Sequence, residues 1–85
     1  MKRYYIYILE SAVSKEYYVG TTSNLERRIR QHNSGRVRST RPMRPWHLKY
    51  QESYPNISSA RTREMQIKSW KKRSAIEKLI RGAFV

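Results

Sequence analysis

The chain has no cysteine and no aspartate, and holds only three glycines, three prolines and one phenylalanine in 85 residues. The missing cysteine excludes a disulfide staple, a thiolate zinc site and a cysteine nucleophile. No apolar run approaches the ~20 residues that a helical membrane span needs, and the start of the chain carries no signal-like apolar stretch. A cytoplasmic protein without membrane contact is therefore expected. Acids are scarce as well: six glutamates, Glu10, Glu16, Glu26, Glu52, Glu64 and Glu77, stand against 19 lysines and arginines. They are scattered, whereas sites that hold two metal ions about 4 Å apart use clustered carboxylates. Phosphoryl chemistry on this chain would rest on one metal ion or none.

What remains is basic and aromatic. A formal charge of +13 and a pI near 10.7 point to polyanions. Nucleic acid comes first, because Lys and Arg contacts to phosphates supply most non-specific affinity. Hydrophobic residues at 38% with 12% aromatics are lean, yet carry too many large side chains for a disordered tail. The length suits one domain over residues 1–85, a monomer with a small core.

No internal repeat or linker divides the chain. Residues 4–9, YYIYIL, are dense in aromatic and β-branched side chains and predict a strand. Period-two alternation sets Tyr5, Tyr7 and Leu9 on one face and Tyr4, Ile6 and Ile8 on the other. A polar hairpin loop through Ser11, Ser14 and Lys15 leads to a second strand over residues 17–20. Ser23 with Glu26 reads as a capping box. The helix it opens carries Leu25, Ile29 and His32 on one side and stops near Gly35. Residues 36–45, with Pro42 and Pro45, predict a basic loop, and residues 46–54 a third strand. Two helices follow: one over residues 59–70, and one capped by Ser74 with Glu77 that buries Ile76, Leu79 and Ile80. The order β-β-α-β-α-α predicts an α+β fold, a small three-stranded antiparallel sheet flanked by helices.

Two tyrosine-bearing strands precede the arginine-rich helix: YIY at 5–7, YVG at 18–20, then NLERRIRQH at 24–32. Ten residues separate Tyr7 from Tyr18, Arg28 lies ten beyond Tyr18, and a later helix, SARTREMQIKSW, supplies Glu64. Four elements in this order resemble the GIY-YIG nuclease superfamily, in its small stand-alone bacterial branch, over nearly the whole chain. Tyr5 stands where the first triplet of the family has glycine, and an asparagine seen late in some relatives has no counterpart after Glu64.

The resemblance implies a catalytic set of Tyr7, Tyr18, Arg28, His32 and Glu64. Tyr7 would act as general base, which requires nearby positive charge to lower a phenol pKa of about 10. Tyr18 would orient water or phosphate. The alternative is that both are packing aromatics. Arg28 and His32 are four apart and share a helix face, where a guanidinium grips a phosphate bidentately. His32 partners a tyrosine or is a helix-end histidine favoured by the dipole; no second ligand stands at zinc spacing. Glu64 falls on the inward face between Ala60 and Ile67. It is either a semi-buried ion pair, with Arg28 as one partner, or the ligand of a single Mg²⁺ or Mn²⁺. His47 has no supporting neighbours.

Arg27 and Arg30 read either as nucleic-acid contacts or as a solvated basic face of the helix. With the loop arginines Arg36, Arg38, Arg41 and Arg44 they belong to a run over residues 27–51 with no acid, and the loop with Trp46 suggests backbone tracking and base stacking. Lys71 and Lys72 either extend that surface or solvate a helix junction. The reading is a metal-dependent endonuclease acting on nucleic acid, DNA in preference to RNA. Sequence preference would be weak unless a partner protein supplies it. A non-catalytic nucleic-acid-binding module on the same fold is the competing reading, and a structural ribonucleoprotein component a third.

Overall fold

The computed structural model of the chain describes residues 2–82, so positions 1 and 83–85 of the expected domain lie outside the described residues. Alternating large apolar residues form the central strand, β1 (Tyr4–Ser11), which pairs antiparallel with β2 (Tyr17–Thr22) and β3 (Trp46–Tyr54) in the order β2-β1-β3. Pairing carries β1 and β2 two residues beyond their expected ends, because Ser11 still meets Trp46 and Tyr5 still meets Thr22. The helices are α1 (Leu25–Asn33), α2 (Ile57–Ser69) and α3 (Arg73–Ile80), with a 3-10 turn at Arg41–Met43. The observed order is β-β-α-β-α-α.

Ile6, Tyr7, Ile8 and Leu9 are all at most 1% exposed, so the sheet is covered on both sides. The expected alternation holds and divides the core in two. Ile6, Ile8 and Val19 pack on Ala60 and Ile67 of α2 and Leu79 of α3, with Ile76 and Ile80 at the margin. Tyr7 and Leu9 pack on Trp46, with Tyr18, Leu25 and Ile29 of α1 alongside. One face is built for packing, and the other brings aromatic hydroxyls to α1.

Three helix starts differ from the sequence reading. Asn24, not Ser23, caps α1: its backbone is extended and Oδ1 accepts from Arg27 N at 3.0 Å. Glu26 pairs instead with Arg30 one turn on, at 2.9 Å. Asn56 caps α2 by accepting from Ser59 N at 2.8 Å, which starts that helix two residues early. Ser74 lies inside α3, because Arg73 is already held there. Its guanidinium stacks 4.4 Å over Tyr17, donates to Lys15 O, and pairs with Glu10 and Glu77.

A tie not anticipated from sequence joins β3 to α2. Arg63 donates to both Glu52 oxygens, Nε at 3.0 Å and Nη2 at 3.1 Å, while Tyr50 and Tyr54 donate to the same carboxylate. Burial alone would raise the Glu52 pKa, but these partners outweigh it and hold it below the ordinary value. A depressed carboxylate pKa adds stability that is present above the unfolded value and is lost as pH falls through the folded one. Glu52→Gln should therefore lower unfolding free energy at neutral pH by about 1 to 3 kcal/mol, as expected for a hydrogen-bonded charged group. It should also flatten the acid limb of a denaturant-measured stability profile. An unchanged acid limb would show that the pair contributes nothing to folding.

Candidate active site

Tyr7 lies directly opposite Gly20 in the β1–β2 register. Its ring occupies the space that a side chain at 20 would fill: a Cβ there would sit 2.6 Å from Tyr7 Cζ. The glycine therefore lets a bulky phenol lie flat across a neighbouring strand. Tyr18, two residues earlier on the same face, sets its ring centroid 6.3 Å from that of Tyr7 and 4.8 Å from that of His32, edge-on to the imidazole.

His32 points inward from α1 and is fully buried. Tyr7 Oη and His32 Nε2 are 2.9 Å apart, and His32 Nδ1 is 2.8 Å from Thr40 Oγ1. Burial pushes Tyr7 up to about 12; the hydrogen bond from Arg28 is the next largest influence and opposes it, and the nearby Tyr18 and Glu64 add smaller rises. This reverses the expectation that positive charge would lower it, because desolvation of the phenolate is the largest effect. At neutral pH Tyr7 thus keeps its proton. The one acceptor bonded to its hydroxyl is His32 Nε2, since Arg28 can only donate. Neutral His32 must then carry its proton on Nδ1 and donate to Thr40. Thr40 in turn donates to Val37 O at 3.3 Å, so the Tyr7 and Thr40 hydroxyls and the imidazole N–H each have an acceptor. Burial, reinforced by the Arg28 charge, pushes His32 down to about 4, consistent with the neutral ring.

Thr40 was missed in the sequence because nothing local distinguishes it from other loop threonines. It is held by Trp46, whose Nε1 donates to Thr40 O at 2.8 Å. Trp46 is 2% exposed, and its own backbone N donates to Asn33 Oδ1 at 2.6 Å. The expected role in base stacking is therefore corrected: Trp46 is a core anchor that fixes the basic loop against the sheet, and it has no free face.

Arg28 is half-buried at the mouth of the cluster. Its Nε donates to Tyr7 Oη at 3.4 Å and Nη1 to Gln31 Oε1 at 3.0 Å. The Tyr7 and Tyr18 hydroxyls favour its charged form, so its pKa is raised. The remaining guanidinium nitrogen is available to an anion.

Glu64 does not pair with Arg28. Its Oε1 accepts from Thr21 Oγ1 at 2.6 Å and its Oε2 meets Lys68 Nζ at 2.7 Å. Thr21 follows Gly20, and strand alternation turns its side chain toward α2, so Glu64 approaches the cluster across the β2 edge. Its charge is the smallest of five influences on Tyr7. Burial would raise the Glu64 pKa, but Lys68 and Thr21 outweigh it, so the carboxylate is ionised at neutral pH. Among the described residues no three His, Cys, Asp or Glu side chains gather as a metal cage. A hydrated Mg²⁺ or Mn²⁺ needs less: one ionised, part-exposed carboxylate beside a hydroxyl, with water and phosphate oxygens completing the shell. Glu64 and Thr21 fit that requirement once Lys68, half exposed, releases Oε2.

Arg27, Arg30, Arg36, Arg38, Arg41 and Arg44 are exposed on α1 and the loop after it. Arg41 and Arg44 also brace that loop by donating to Gly35 O and Arg41 O. Lys71 and Lys72 are exposed at the α2–α3 junction, on the packing side of the sheet, and are not brought to the tyrosine cluster.

The family model of the GIY-YIG catalytic domain matches residues 3–78. The chain belongs to the GIY-YIG family. Its relatives include a UPF0213 protein of Syntrophus aciditrophicus, 41% identical over 93% of this chain and 88% of that one. A UPF0213 protein of Haloquadratum walsbyi is 38% identical over 79% and 75%, so the branch reaches archaea as well as bacteria. The solution NMR structure of a UPF0213 protein from Bacillus halodurans aligns with a TM-score of 0.59 at 32% identity, over 92% of this chain and 82% of that one. GIY-YIG members carry the nuclease domain fold, and among the described residues no helix here is long and apolar enough to cross a membrane.

Two outcomes follow for this cluster. Gly20→Ala should displace Tyr7 and destabilise the fold by about 1 to 3 kcal/mol, the range for overpacking a close contact; an unshifted denaturation midpoint would contradict the close approach. His32 should make stability pH-dependent in a defined window. Its folded pKa lies below the unfolded value of about 6.5, so the unfolded chain binds more protons between there and about 4. Stability should fall as pH drops through that window, and His32→Gln should remove this slope in denaturant titrations.

Proposed function

We propose that this GIY-YIG chain is a metal-dependent endonuclease that hydrolyses phosphodiester bonds in nucleic acid, DNA in preference to RNA. The observation that carries this reading is the Arg28–Tyr7–His32–Thr40 series of hydrogen bonds, which runs from a half-buried guanidinium through a phenol and a neutral imidazole to a buried hydroxyl. A simple packing role would not require a buried phenol, a histidine tautomer and an arginine to meet at one oxygen.

In the mechanism, a phosphodiester enters against Arg28, whose planar fork takes a non-bridging oxygen and draws the guanidinium off the Tyr7 hydroxyl. A water then takes its place at Tyr7. Tyr7 is not a ready-made phenolate; it accepts the water proton as its own proton passes to His32 Nε2, so the phenol relays rather than stores charge. Thr40 accepts from Nδ1 throughout and keeps the ring oriented. The hydroxide oxygen bonds to phosphorus in line, the bond to the 3′ oxygen breaks with its electron pair on that oxygen, which takes a proton from solvent, and Arg28 stabilises the charge that develops between them. Tyr18 orients the water. A divalent cation held by Glu64 and Thr21 would supply charge stabilisation at the leaving oxygen.

One observation favours the non-catalytic binding module: both Glu64 oxygens are engaged, one of them by a lysine. The two readings separate in one assay. Nicking of supercoiled plasmid should require Mg²⁺ or Mn²⁺ and stop with EDTA. Arg28→Lys should lose on the order of 10²- to 10³-fold in rate, as for removal of one transition-state donor, because an ammonium lacks the planar fork. Glu64→Gln should abolish metal-dependent nicking while DNA still shifts on a gel. Stable gel shifts by the wild type without any product would select the binding module.

A further inference from the structure

The proposed mechanism uses Arg28 but leaves the outer face of α1 without a role. Arg27, Arg30, Gln31 and Ser34 recur at helical spacing on the side opposite Leu25, Ile29 and His32. With Arg36 they line an open depression of about 300 Å³. Arg36 is brought there by the way the helix ends. Gly35 turns left-handed at φ 84, its N–H donates to His32 O, and Arg36 N–H donates back to Gln31 O at 3.1 Å. That paired closure is a Schellman motif. It folds the chain against the last turn, so the position of Arg36 is set by backbone.

The chemistry of the depression is one-sided. Every lining side chain is a hydrogen-bond donor, three are guanidinium groups and none is a carboxylate. The adjacent acid, Glu26, pairs with Arg30 while the two side chains are 82% and 69% exposed, a geometry that holds an arginine only weakly. Gln31 joins the depression to the candidate active site, since its Oε1 accepts from Arg28 Nη1 and its amide N–H₂ remains a donor. Three guanidinium groups converging on one concave space suit a single tetrahedral anion better than a row of separate contacts.

We propose that this depression is a discrete phosphate site, in which Arg27, Arg30 and Arg36 jointly hold one phosphate of the nucleic acid away from the bond to be cut. The inference rests on the nuclease reading for its substrate class and extends it. It sets the path of the substrate: from Arg28, past Gln31, around α1. The phosphate is either an internal diester or a terminal monoester, which share this chemistry.

The test is the salt dependence of binding, measured in EDTA by fluorescence anisotropy with short duplex DNA. One neutralised phosphate contributes a slope of about 0.9 in log affinity against log salt. If one phosphate is shared, R27Q and R36Q each lower the slope, and the double variant lowers it by about 0.9 in total, no more than that single share. If the arginines bind separate phosphates, the effects add to about 1.8, and the site is overturned. An unchanged slope in the double variant overturns it equally, as does a wild type that fails to bind. Duplexes ending in phosphate or in hydroxyl groups identify the source: a loss confined to phosphorylated ends assigns a terminal monoester, and an equal loss assigns an internal diester. Cleavage does not enter this readout. A wild type that gives the one-phosphate result but never cuts with Mg²⁺ or Mn²⁺ would sink the nuclease reading and leave the site standing.

Discussion

A phenol hydroxyl with almost no solvent must find an acceptor inside the protein, and much of this molecule is arranged to give Tyr7 one. Gly20 has no side chain, so the ring can cross β2. His32 is turned inward, against the usual preference of a helix-end histidine for solvent, so that Nε2 can receive the proton. Thr40 holds the other nitrogen, and Trp46 holds Thr40. The loop after α1, the largest cluster of arginines, is thus pinned to the sheet by the same chain of bonds that sets the histidine tautomer. Electrostatics and loop position have one common support.

The two faces of the sheet divide the work. On the α2–α3 side, apolar packing and the Glu52–Arg63 pair hold helices to strands. On the α1 side, aromatic hydroxyls, an imidazole and an arginine meet. Glu64 belongs by packing to the first side and by charge to the second, reaching across the edge strand β2 through Thr21. The scarcity of acids sharpens this. Glu10, Glu26, Glu52 and Glu77 tie arginines or lysines to structure. Glu64 alone of the paired glutamates also stands next to the residue that follows Gly20.

The strands and both faces of β1 were legible because YYIYIL alternates aromatic and aliphatic residues without interruption. The four dispersed site elements were legible because their spacing survives in the linear chain. Helix starts were less so: Thr22, Ser23 and Asn24 are all capable caps, and the backbone conformation at Asn24 decides among them. Trp46 was misread because an aromatic within an arginine-rich loop has the same composition whether it stacks on bases or anchors the loop. The sign of the Tyr7 shift depends on burial, which composition does not encode. Lys68, four residues beyond Glu64, could have been read as its partner from helical spacing alone. Thr40 could not, since its role exists only once residues 32, 40 and 46 meet in space.

The central claim is that neutral His32 carries its proton on Nδ1 and receives the Tyr7 hydroxyl at Nε2. A long-range ¹⁵N–¹H correlation spectrum of the imidazole at neutral pH reads this directly, because protonated and unprotonated ring nitrogens resonate far apart. The account predicts that His32 gives a protonated Nδ1 and an unprotonated Nε2. A protonated Nε2 would mean that His32 donates to Tyr7, and the proton relay as described would be wrong.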